Sequence, residues 1–178
     1  MNSCHDYYSR GNITTVPDPA DIPPPSLGFL VWQLSARWQL ELDHALAPLG
    51  LTAAQYAVLA SLYALATTGH TPSQRELADF SGLDRIHVSK LLRALERAGM
   101  VARQQHPSDT RAVAVTITDA GRQTVTAARR QVLALEEQRL RPLGGRTSRR
   151  SDQLVKSLHT LLRHTTSRRS GAGPPTPR

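Results

Sequence analysis

A single cysteine, Cys4, rules out an intrachain disulfide framework and suits a reducing interior. Long apolar runs are missing as well. The longest, "YAVLASLYALA" from Tyr56, falls well short of the roughly 20 residues that a membrane-spanning helix needs. The opening "MNSCHDYYSRGN" is polar, without a basic start followed by an apolar run, so it does not read as a secretion signal. These absences predict a soluble, cytoplasmic protein. There is no phosphate-binding loop, GxSxG elbow or HExxH pair, so no enzyme and no cofactor is expected, and no internal repeat is found. Lysine is scarce too, with Lys90 and Lys156 alone among 22 basic residues. The chain is also rich in Ala, Leu and Pro, a bias that a GC-rich coding sequence produces, so the abundance of arginine carries no functional meaning by itself.

What is there is a chain of 178 residues, enough for one domain with an added dimerisation element. Its 22 basic against 14 acidic residues give a net charge of +8, which favours a polyanionic partner, either nucleic acid or an anionic membrane surface. Residues 1–26, with Pro17, Pro19 and the run Pro23, Pro24, Pro25, show no sustained period and read as a flexible arm. Over 27–50, Leu30, Leu34, Trp38, Leu42 and Leu46 recur at helical spacing before Gly50. Thr52 is placed to cap a second helix, which carries Tyr56, Val58, Leu59, Leu62 and Leu65 inward. Ser73 and Glu76 form a capping box for a short helix, and Asp84 caps the next, which stops at Gly99.

After Gly99 the period shortens to two. "MVARQ" and "RAVAVTI" read as strands joined by "HPSDT", with Val113, Val115 and Ile117 on one face. A long polar helix follows from Thr118 to about Leu140, and a last helix from about Ser151 to Arg163 presents Leu154, Leu158, Leu161 and Leu162. By composition, 166–178 is a disordered basic tail. The expected fold is mainly α with a small β-hairpin wing: a winged helix-turn-helix over 51–118, flanked by long terminal helices at 27–50 and 119–165.

The close crossing in a helix-turn-helix demands a small residue, then a turn residue that tolerates positive φ, then an apolar anchor. Ala78, Gly82 and Val88 fill these places, at the spacing such units use. A generic helical hairpin would also accept that Gly. The helix after the turn adds weight to the DNA reading. Val88, Leu91, Leu92 and Leu95 fall on one side; Ile86, Lys90, Arg93 and Arg97 fall opposite, flanked by Arg85, His87 and Ser89. Between Arg85 and Arg103, five basic residues face one acid, Glu96, whereas a merely solvated face is usually mixed in sign. The first half of such a helix enters the major groove, where Lys or Arg donates to guanine and an exposed Ile86 packs on a thymine methyl; Arg93 and Arg97 then meet phosphates. In the wing, Arg111 suits the minor groove with Asp109 holding its guanidinium, or Asp109 simply caps the turn backbone.

The run "LGLTAAQYAVLASL" followed by "SQRELADFSGLDRIHVSKLLRALERAGMVARQQHPSDTRAVAVTITDAG" resembles the MarR family of bacterial winged helix-turn-helix regulators. The likeness rests on Leu51-Thr52 with Gln55, on "LERAGMV", on Asp109-x-Arg111 and on Thr118-x-x-Gly121, and it spans roughly 27–163. It implies a homodimer on a pseudo-palindromic operator in double-stranded DNA, and gives the terminal helices at 27–50 and 119–165 a dimerisation role. Ser89 and Lys90 then match the family's recognition-helix contacts, Asp109 and Arg111 its wing pair, and Ile86 and His87 sit at positions that set sequence preference.

Members of the family often release DNA when a small phenolic or aromatic acid binds, and Arg37, Trp38, His44 and Tyr56 are the candidate contacts; Trp38 and Tyr56 also suit a plain core role. Peroxide sensing through Cys4 is disfavoured, because the family's reactive cysteine lies at the start of the first helix. Zinc needs about four convergent ligands, whereas the long fifth helix has no histidine and His159 and His164 stand five apart, so no metal is expected. The alternatives are a metal- or oxidant-responsive regulator of this fold and a largely non-specific DNA-compacting protein.

Overall fold

The computed structural model describes residues 25–105 and 113–169, with side chains as far as His164. The order is α1 (Leu27–Leu46), a 3-10 turn (Ala47–Leu49), α2 (Ala53–Thr67), α3 (Gln74–Ser81), α4 (Arg85–Arg97), β1 (Val101–Gln105), β2 (Val113–Ile117), α5 (Asp119–Leu140), a second 3-10 turn (Arg141–Leu143) and α6 (Arg149–Arg169). This is the mainly helical winged helix-turn-helix, with its two-stranded hairpin, that the periodicity predicts. No single helix among the described residues is long and apolar enough to cross a membrane.

Two compact units divide within α1, between Arg37 and Trp38. In the first, Leu27, Phe29, Leu30, Val31, Trp32 and Leu34 are all exposed, and the rings of Phe29 and Trp32 stack with centroids 5.9 Å apart.

In the second, α2 is the central post. Val58, Leu59 and Leu62 are fully buried, in one cluster with Leu77 and Ala78 of α3, Val88, Leu92 and Leu95 of α4, Val115 and Ile117 of β2, and Val125 and Ala128 of α5. Thr52 starts this post with a capping box, its hydroxyl accepting from Gln55 N while the Gln55 side chain accepts from Thr52 N. Leu65 and Tyr56, expected in the core, lie at its margin and are only partly buried.

β1 and β2 pair antiparallel, with Val101 opposite Ile117 and Gln105 opposite Val113. The expected apolar face is broken at its outer end: Val115 and Ile117 are buried, but Val113 is 40% exposed. Ala114 is buried instead, because β2 passes beside the start of α3, where Val115 N donates to Pro72 O at 2.9 Å.

Thr118 caps α5 through Gly121 N. α6 runs on to Arg169, past the end expected at Arg163 just after its last leucine, Leu162, so the first residues assigned to a basic tail are helical. Asp152 to His164 are exposed at every position of the helix.

Candidate nucleic-acid interface

The helix-turn-helix is built from local rules. Ser73 N donates to Glu76 Oε2 at 2.8 Å and Glu76 N to Ser73 Oγ at 3.2 Å, closing the capping box that starts α3. Ala78 is buried at the crossing and Gly82 adopts φ 71°, the left-handed turn that only a residue without Cβ takes cheaply. The Asp84 carboxylate accepts from Ile86 N at 2.9 Å and His87 N at 3.2 Å, so the first turn of α4 is held by its own cap. Val88, Leu92 and Leu95 anchor the inner face with no exposure.

The outer face of α4 carries the expected DNA contacts. Arg85, Ile86, His87, Lys90, Arg93 and Arg97 are exposed, and Ser89 is half-buried between the faces. Ile86 is 70% exposed, two residues before the fully buried Val88. Arg93 Nη2 donates to Ser89 Oγ at 3.3 Å, and Arg85 lies 3.8 Å from Asp79 of α3. Lys90, Arg93 and Arg97 make no ion pair among the described residues. Asp109 and Arg111 lie outside the described residues.

One member of the basic count belongs elsewhere. Arg103, on β1, turns its guanidinium onto Glu96 of α4, donating from Nε to Oε2 at 2.8 Å. That bond, with the charge behind it, holds the Glu96 carboxyl below its ordinary value. The pair straps the wing strand to the end of the recognition helix and neutralises Glu96, so Arg103 does not add a free cation to the outer face.

Of the four candidate ligand contacts, His44 and Tyr56 line different grooves. Arg37 is exposed in the first unit, and Trp38 is half-buried at the start of the second. His44 lines an open groove of about 670 Å³ with Glu41, Ala45, Leu135, Gln138, Arg139 and Pro142, where Glu41 and Arg139 form an ion pair. Tyr56 lines a different one of about 320 Å³, between α2 and α5, with Tyr63, Val125, Thr126 and Arg129. Burial pushes the Tyr56 hydroxyl above its ordinary value, Arg129 pulling it down and Glu136 pushing it up, so it stays a neutral donor near pH 7. Tyr63 was missed in the sequence although it stands seven residues from Tyr56 on the same helix face; Arg129 gives no local signal. Among the described residues, no three His, Cys, Asp or Glu side chains converge as a metal would require; Cys4 lies outside them.

A capped helix pair presenting a basic, apolar-tipped face beside a two-stranded wing is a DNA-reading head. Residues 51–113 match the family model described as "MarR family". Over 106 residues the chain is 39% identical to the HTH-type transcriptional regulator YdcH of Bacillus subtilis, across 60% of this chain and 72% of that one. The chain belongs to the MarR family. It is a DNA-binding transcriptional regulator, not an enzyme. An HTH-type transcriptional repressor of Mycobacterium tuberculosis is 31% identical over 134 residues, covering 74% of this chain and 92% of its own. Among solved structures, the transcriptional repressor CouR bound to a 23-mer DNA duplex superposes with a TM-score of 0.67 at 34% identity, across 77% of this chain and 92% of that one. CouR from Rhodococcus jostii RHA1 has also been solved with p-coumaroyl-CoA, and matches at 28% identity with a TM-score of 0.63, across 77% of this chain and 89% of that one.

Proposed function

We propose that this regulator is a repressor that binds a pseudo-palindromic operator as a homodimer and leaves it when a small aromatic acid binds. The observation that carries the reading is the outer face of α4, where an exposed isoleucine and three cations with no ion pair among the described residues, Lys90, Arg93 and Arg97, stand on a helix fixed by its cap and core. Arg85, Ile86, His87, Ser89 and Lys90 meet the major groove, Arg93 a phosphate, and the wing's Arg111, steadied by Asp109, the minor groove. Two relatives named as repressors support the direction of control.

The dimer accounts for apolar surface that a monomer leaves bare. Leu27, Leu30 and Leu34 on α1, and Leu154, Leu158 and Leu161 on α6, are large side chains in water on helices of 20 and 21 residues. A solitary α6 lacks the tertiary packing from which most helices in proteins take their stability. Residues 27–50 and 119–165 therefore join the two chains, and 51–118 read DNA. Leu158→Glu is expected to yield a monomer in light scattering and to abolish operator binding; a variant that stays dimeric would move the interface off α6.

The groove between α2 and α5 suits the effector. Arg129 offers a cation to a carboxylate, while Tyr56 and Tyr63 offer ring faces and neutral hydroxyls. Since α2 carries the core of the reading head and α5 leads to the dimer helices, a ligand wedged between them favours one spacing of the two heads. It releases DNA only if it binds the DNA-incompetent spacing more tightly.

The deciding measurement is fluorescence anisotropy with DNA from upstream of the protein's own gene against scrambled DNA at physiological salt. A preference of about a thousandfold or more is expected. Equal, salt-sensitive affinities for both, and for every other genomic fragment tried, would replace the repressor by a sequence-blind DNA binder.

A further inference from the structure

Most of the net positive charge of this protein lies outside its reading head, since residues 51–118 hold seven Arg and Lys against five Asp and Glu. Between Asp119 and Arg169 stand twelve Arg and Lys against four Asp and Glu, a net +8 that equals the charge of the whole chain; the remaining residues hold ten of each sign. The excess sits on α5, α6 and the turn that joins them. Two of the twelve are consumed locally: Arg139 pairs with Glu41, and Arg146 Nε donates to Glu136 Oε2 at 3.1 Å. On α6 the charge is ordered. Arg149, Lys156 and Arg163 follow at intervals of seven residues, so they form one stripe that drifts by only about 20° per step, with Gln153 and Thr160 between them. All five are exposed, and none of the three cations makes an ion pair among the described residues. Leu154, Leu158 and Leu161 occupy the opposite side.

The helix is also held in place at its start. Ser151 is buried and donates to Gly145 O at 2.7 Å, while Ser148 Oγ accepts from Ser151 N and donates to Leu143 O at 2.7 Å. The stripe is therefore presented on a fixed corner.

We propose that the outward stripe of α6 binds the phosphate backbone of a second DNA duplex without reading its sequence, so that one dimer bridges two segments of DNA. This rests on the dimer of the preceding subsection, which covers the leucine side of α6 and leaves the basic side facing out. Arginine, lysine, glutamine and threonine are the side chains that donate to phosphate oxygens. The stripe offers no apolar anchor between its cations, which a helix lying in a membrane interface requires. Two chains whose surplus charge lies on their joining helices repel each other, and a polyanion laid along that surface relieves the repulsion.

The test is a bridging assay with the full-length protein. A random-sequence duplex is fixed to beads, the protein is bound, and capture of a second, labelled random-sequence duplex is read at low and physiological salt. Capture is expected, and Arg149→Gln/Lys156→Gln/Arg163→Gln should lose it, while the charge-preserving Arg149→Lys/Lys156→Arg/Arg163→Lys keeps it. The wild-type salt dependence of second-duplex capture should have a log–log slope steeper by about three than any residual capture by the glutamine variant. Dimer mass and upstream-DNA affinity, measured on the same samples, should not change, so a failure here is distinct from a failure of the repressor reading. Absence of capture by the wild type would overturn the proposal. So would capture that survives the glutamine variant, which would put both duplexes on the reading heads. Binding of phosphatidylserine vesicles in place of the second duplex would overturn it in favour of a membrane surface.

Discussion

Gly121→Ala is expected to be the most damaging single-methyl change in the protein, lowering stability by about 3 kcal/mol or more, near the upper end for overpacked sites. Gly121 is buried in the first turn of α5, and a Cβ there would lie 2.1 Å from Met100 O and 2.9 Å from Ile117 Cγ1. A flexible side chain could swing aside, but the Met100 carbonyl cannot. It accepts from Thr118 N at 3.1 Å, while Thr118 Oγ1 donates to Gly99 O at 2.7 Å and accepts from Gly121 N at 3.0 Å. Those bonds knot the end of the recognition helix, the base of the wing and the start of α5 into one corner. The added methyl must push α5 off that corner, and the wing loses its footing with it. Thermal unfolding by circular dichroism should show a Tm lower by roughly 6–12 °C, at the few degrees per kcal/mol usual for domains of this size. An unchanged Tm would mean that the corner yields and that Thr118-x-x-Gly121 has some role other than close packing.

That corner shows what a sequence exposes and what it hides. Thr52, Ser73 and Asp84 are legible as caps because each acts on a backbone N–H two or three residues away, as the structure bears out, whereas Thr118 reads from the sequence only as the start of a helix that it proves to cap. The turn glycine Gly82 and the anchors Ala78 and Val88 are legible for the same reason. The Glu96 to Arg103 strap is not, since it joins a helix to a strand, and in the linear count Arg103 passes for one more cation on the recognition face. Val113 fits a period-two pattern perfectly and still ends up exposed, because only the passage of β2 beside α3 decides which residue is covered. The end of α6 was read short because its leucines stop at Leu162, although a helix can continue without an apolar face to bury. The groove proposed for the effector is the hardest to see. Tyr56 and Tyr63 share a helix face, but Arg129 joins them only through the packing of α5 on α2. The charge is a different case: its total points to a polyanion, nucleic acid or an anionic membrane alike, and only its distribution along the chain separates the reading head from the helices behind it.

Within the head, Lys90→Ala is expected to weaken operator binding roughly thirtyfold or more while leaving the fold untouched. Lys90 is exposed in the middle of the α4 outer face, one turn beyond Ile86, and touches no acid among the described residues. Its removal therefore leaves no buried group without a partner, and stability should move by less than about 0.5 kcal/mol. On DNA the same ammonium meets either a phosphate or a guanine edge, and losing such a contact costs about 1–3 kcal/mol. The proposed homodimer would carry it twice, so the cost is about 2–6 kcal/mol at tenfold per 1.4 kcal/mol. Anisotropy against operator and scrambled duplex separates the two roles. A loss that falls equally on both, with a salt slope shallower by about two, places Lys90 on the backbone; a loss confined to the operator places it on a base. Ser89 is tied to Arg93 at 3.3 Å, so its own contact is coupled to a second residue and gives no such clean reading. Normal binding by Lys90→Ala, with an unchanged fold, would mean that the DNA-facing side of α4 has been assigned wrongly.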